Sequence, residues 1–114
     1  MKLWIDDIRT PPDYENYGHN EWVWCKSVRE TINQIRESEY MYNVSRSKEF
    51  WIIELIDIDH DAGDYASDGG DYIAILDWLE ETGRSYPIHI HSMNPVGVEN
   101  MRRIIQKNGW TEVN

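Results

Sequence analysis

The run Phe50-Trp51-Ile52-Ile53-Glu54-Leu55-Ile56-Asp57-Ile58-Asp59 constrains the fold more than any other part of the chain. It is nearly continuous in apolar residues, interrupted by Glu54. That pattern marks a strand covered on both faces, the setting of a central strand in a parallel sheet. Parallel neighbours need crossover connections of about a dozen residues, usually helical. The sequence on either side of the run supplies them.

Before the run, Leu3-Trp4-Ile5 and Trp22-Val23-Trp24-Cys25 read as short strands. Arg9-Thr10-Pro11-Pro12 breaks regular structure, and the polar stretch to Asn20 reads as a loop. Ser27 to Glu30 has the capping-box spacing, and Val28, Ile32 and Ile35 repeat at helical intervals. A helix is expected over Val28–Glu39, with a loop over 40–49. After the run, Asp71 is placed to cap a helix whose apolar face is Tyr72, Ile75, Leu76 and Leu79, with Gly83 as its stop. Pro87 to Ser92 alternates like a strand. Asn94-Pro95 reads as N-cap and first helical residue of a helix ending at Gly109. Trp110 to Val113 is expected as a last short strand. The alternation predicts an α/β fold with a mostly parallel sheet of four to five strands and helices on both faces. At 114 residues it is a single domain spanning 1–114.

Charge narrows the partners. The chain has 11 Lys and Arg against 21 Asp and Glu, a net charge of −10. That argues against polymeric nucleic acid or an anionic membrane as the main partner, since both select basic surfaces. One Cys makes no internal disulfide, and no secretory or membrane-spanning stretch is present, so a cytoplasmic setting is expected. The acids are not spread evenly. Six Asp and no Lys or Arg lie between Asp57 and Asp71. Such a cluster is either a solvated loop or a place for a cation.

Open parallel sheets bind ligands at the carboxyl ends of their strands. Here the first strand ends in Asp6-Asp7 with Arg9 beyond, the central one in Asp59-His60-Asp61, and the next in His89, His91, Ser92 and Asn94. Asp6, Asp7, Asp59 and Asp61 are candidate ligands for a divalent cation, Mg²⁺ or Mn²⁺, which would in turn hold phosphate. His60 and His91 are candidate proton carriers. Arg9, Ser92, Asn94 and Gly97 are candidates for phosphate contact. Gly97 would let a ligand approach the helix amino end closely.

The strings Leu3 to Pro12, Ile58-Asp59-His60-Asp61-Ala62-Gly63-Asp64, Gly69 to Tyr72, Trp78-Leu79-Glu80 and Ile90-His91-Ser92-Met93-Asn94-Pro95-Val96-Gly97, with Asn100-Met101, resemble the cyclic-phosphate processing receiver domain family over nearly the whole chain. The resemblance implies a flavodoxin-like, receiver-like three-layer α/β/α fold. It implies a small phosphate-bearing nucleotide derivative, cyclic or linear, as ligand. It also implies Asp6 and Asp7 as the acidic pair, Asp59 at the phosphoacceptor-like position and Ser92 at the hydroxyl position. Asn100 enters the candidate ligand-binding set through it. Ordinary receivers carry a Lys at the end of the last strand, whereas Val113-Asn114 supply none. That shifts weight from a phosphorylation switch toward phosphate-ligand binding or metal-dependent phosphoester hydrolysis. A binding module without chemistry and a degenerate receiver acting through protein contacts remain the alternatives.

Overall fold

The computed structural model describes residues 1–13 and 22–114. Four strands, β1 (Lys2–Ile5), β2 (Trp22–Cys25), β3 (Leu55–Ile58) and β4 (Ile88–Ile90), form one sheet in the order β2-β1-β3-β4. Every pairing is parallel. Among the described residues, three helices follow the last three strands: α1 (Val28–Val44), α2 (Ile73–Thr82) and α3 (Pro95–Asn108). This is a flavodoxin-like α/β arrangement, with the order reversing at β1. No helix among the described residues is long and apolar enough to cross a membrane.

The two faces of the sheet differ sharply. Leu3, Ile5, Cys25, Ile56, Ile58 and Ile88 point to one side and are buried. They form a single core with Val28 and Ile35 of α1, Ile75, Leu76 and Leu79 of α2, and Met101 and Ile105 of α3, so the helices among the described residues share one face of the sheet, where helices on both faces were expected. Burial of each such Leu or Ile contributes about 1.5–3 kcal/mol. The alternate positions, Trp4, Trp22, Trp24, Asp57 and His89, take the other side. There Trp4 meets Trp22 edge to face, with ring centroids 5.6 Å apart. The Trp4 Nε1 donates to the Arg9 carbonyl at 2.7 Å, and Trp24 Nε1 donates to the Asp6 carbonyl at 2.8 Å. Cys25 is a buried core residue, and burial pushes its thiol pKa up to about 12.

Several expected boundaries shift. The central strand is Leu55–Ile58, and a 3₁₀ turn over Lys48–Trp51 takes up the start of the apolar run. Glu54 is exposed just before the strand, where its amide donates to the Met1 carbonyl. The first helix continues past Glu39 to Val44. No Gly or Pro stops it there, and the Lys48 ammonium satisfies the carbonyls of Tyr42 and Asn43 at its end. Ser27 caps this helix by accepting from the Glu30 amide, while the Glu30 carboxylate reaches back to the Lys26 amide. Asp71 does not cap α2. Tyr72 stands at that position, and the Asp71 carboxylate instead accepts from the Ala62 amide, closing the loop between them. Gly83 and Gly109 end their helices in the left-handed conformation, as expected. The last expected strand is reduced to a parallel bridge between Ile88 and Glu112. The loop expected as far as Asn20 falls largely outside the described residues.

Candidate functional site

The strand register lines up three ends. Ile5 stands beside Ile58, and Ile58 beside Ile90. The next residue on each chain is therefore Asp6, Asp59 and His91. The ladder carries on through them, because Asp59 N–H donates to the Ile5 carbonyl and His91 N–H to the Ile58 carbonyl, both at 2.9 Å. All three side chains fall on the face that carries Trp4 and Asp57. This is the point where the strand order reverses, at the carboxyl edge.

His91 is the hub. Its Nε2 is 2.9 Å from Asp6 Oδ2 and its Nδ1 is 2.6 Å from Asp57 Oδ1. Its ring lies flat on the Trp4 indole, centroids 3.9 Å apart. Burial lowers the pKa of an imidazole, but the hydrogen bonds and charges of Asp57 and Asp6 outweigh it and raise this one above its ordinary value. Asp6 is fully buried. Its Oδ1 accepts from the Ile8 and Arg9 amides at 2.9 and 2.8 Å. Against the penalty of burial, these amides and His91 hold its carboxyl below the usual carboxylate range.

The other candidates surround this centre. Asp59 Oδ1 accepts from the His60 amide at 2.7 Å. The Asp7 carboxyl is raised by burial and by the charges of Asp6 and Asp59. It lies against Gly63, where an added Cβ would come within 2.3 Å of Asp7 Oδ2. Asp61 stands apart from the three aligned ends and bonds His60 Nδ1 at 2.8 Å. The Arg9 Nη1 reaches the His91 carbonyl at 3.3 Å. Ser92 Oγ accepts from the Asn94 amide, and Asn94 Oδ1 caps α3 by accepting from the Gly97 amide. Gly97 has a different neighbour from the one expected. A Cβ there would meet His60 Cγ at 2.5 Å, so its smallness lets the His60 ring lie against the helix. Asn100 is exposed on α3, one turn beyond Gly97.

Among the described residues, Asp6, Asp59 and His91 each offer one ligand atom within 4.8 Å of the others. Two carboxylates and an imidazole are a donor set that fits a divalent cation. Asp57 was not a sequence candidate. It lies between Ile56 and Ile58 in the apolar run, and its only signal is the two-residue spacing it shares with Asp59.

An all-parallel sheet reversing at β1, with acids after β1 and β3 and a His-Ser pair after β4, defines a receiver-like domain. The chain belongs to the cyclic-phosphate processing receiver domain family, whose model matches residues 1–107. No curated protein and no solved structure matches it.

Proposed function

We propose that the carboxyl edge binds a small phosphate-bearing nucleotide derivative, cyclic or linear, through a divalent cation held by Asp6, Asp59 and His91. The observation that carries this reading is the convergence of those three side chains within 4.8 Å at the point of strand reversal. The family's link to cyclic-phosphate processing supports the phosphate part of it. A cation there would supply the positive charge that phosphoryl oxygens need beside so many carboxylates. Arg9 adds a guanidinium next to His91, and the amino end of α3 adds its positive dipole. Asp7 lines the same edge, where burial and the charges of Asp6 and Asp59 oppose its own charge and a cation would relieve it.

For hydrolysis, His60 is the better proton carrier. Asp61 holds its Nδ1, which leaves Nε2 to exchange a proton with water or the leaving oxygen. His91 has both ring nitrogens engaged by carboxylates, a geometry for holding rather than for shuttling protons. That same engagement favours a second reading, in which the ligand is bound without turnover.

The test is incubation with a panel of cyclic and linear nucleotides, with and without Mn²⁺ or Mg²⁺, followed by ligand recovery. Cation-dependent turnover that His60→Ala abolishes supports hydrolysis. Saturable binding with intact ligand supports the binding module. Neither binding nor turnover with any nucleotide overturns both.

A further inference from the structure

We infer that Asp57 is a positioning residue, whose Oδ1 holds Nδ1 of His91 so that Nε2 is the ring nitrogen turned to Asp6 and the carboxyl edge. This deepens the reading of that edge as a cation-assisted phosphate site, and its functional consequence rests on that reading.

Asp57 sits in the middle of β3, only 6% exposed, between two fully buried isoleucines. A carboxylate in such a place is costly unless a partner compensates it. The partner is His91. β3 and β4 run in parallel with Asp57 beside His89, so His91 stands two residues further along on the same face. The two contacts of the ring are unequal. Asp57 meets Nδ1 at 2.6 Å, whereas Asp6 meets Nε2 at 2.9 Å and already accepts from two backbone amides. Trp4, stacked with planes 1° apart, fixes the tilt of the ring, and Asp57 fixes its rotation within that plane. A carboxylate behind the second nitrogen of a histidine is the usual way to orient its first toward a metal.

The test uses the full chain labelled with ¹⁵N-histidine. Two-bond correlation spectra should place a strongly downfield, hydrogen-bonded proton on Nδ1 of His91. In Asp57→Asn that resonance should move upfield. Mn²⁺ affinity, followed by electron paramagnetic resonance of the free ion, should fall about 10–100-fold. Asp57→Glu should recover part of both. A downfield proton on Nε2 in place of Nδ1 overturns the assignment, and this needs only the wild-type protein, so a variant that fails to fold does not prevent it. An Asp57→Asn protein with unchanged resonance and unchanged Mn²⁺ affinity overturns it as well. Wild-type protein that binds no Mn²⁺ removes the cation reading instead, and the proton assignment alone then decides the role of Asp57.

Discussion

The His91 imidazole stacks on the Trp4 indole with its plane 1° from parallel and its centroid 3.9 Å away. A ring flanked by two carboxylates thus also rests on an aromatic face, which favours its protonated form over its neutral one. Trp4→Phe keeps a smaller face and loses the Nε1 bond to the Arg9 carbonyl. The expected cost is about 1 kcal/mol of stability. The His91 pKa should move down toward its ordinary value, as read by an NMR titration of the ring protons. An unchanged titration would mean that the stack contributes nothing to the charge.

The same clamp sets a pH dependence. His91 has a raised pKa, so its contribution to stability is complete below the ordinary imidazole value of 6.5 and fades as pH rises through the folded value. Asp6 has a lowered pKa, so its contribution is complete above the ordinary 3.8 and fades as pH falls through the folded value. Stability from the clamp should therefore be greatest between those two ordinary values. Urea midpoints across pH should show a decline on the alkaline side that His91→Gln removes. If the variant keeps the same decline, its origin lies in another group.

Gly97 and His60 should be coupled. Ala is better than Gly in a helix interior by about 1 kcal/mol. In the native background Gly97→Ala forces the His60 ring away and should fail to deliver that gain. In a His60→Ala background the same change should stabilise. Denaturation of the four proteins gives the coupling directly. Equal effects in both backgrounds would remove the contact.

Asn94→Ala removes the side chain that caps the Gly97 amide and should cost about 1 kcal/mol, measurable by thermal unfolding.

The cation reading makes its own prediction. Without added metal, Asp7→Asn should raise the melting temperature, because burial and the neighbouring acids oppose the Asp7 charge. With Mn²⁺ at 100 times its dissociation constant the wild type should gain about 2.7 kcal/mol, and Asp59→Asn should lose that gain. A melting temperature indifferent to Mn²⁺ would count against the site.

The strand and helix order was legible because each element carries its own signals: the apolar run before Asp59, the Ser27 cap, and the Gly83 and Gly109 stops. The ends that moved depended on contacts at a distance. Only the folded chain shows Lys48 sealing the end of α1 or Asp71 turning to Ala62. At the site, Asp6, Asp59 and His91 could be read from strand ends, since each follows its strand directly. Asp57 could not, because its role depends on the register of β3 against β4. Gly97 carried a true signal of close approach, but the sequence could not name the His60 ring as the group that approaches.

That register has a consequence for how such a chain can change over generations. On β3 the isoleucines at 56 and 58 face the core, and the aspartates at 57 and 59 face the site. A slip of one residue in β3 would exchange the two sets, exposing the isoleucines and burying the carboxylates among the helices. Core and site would be lost in one step. Insertions and deletions within this strand are therefore barred twice over, once by the core and once by the site.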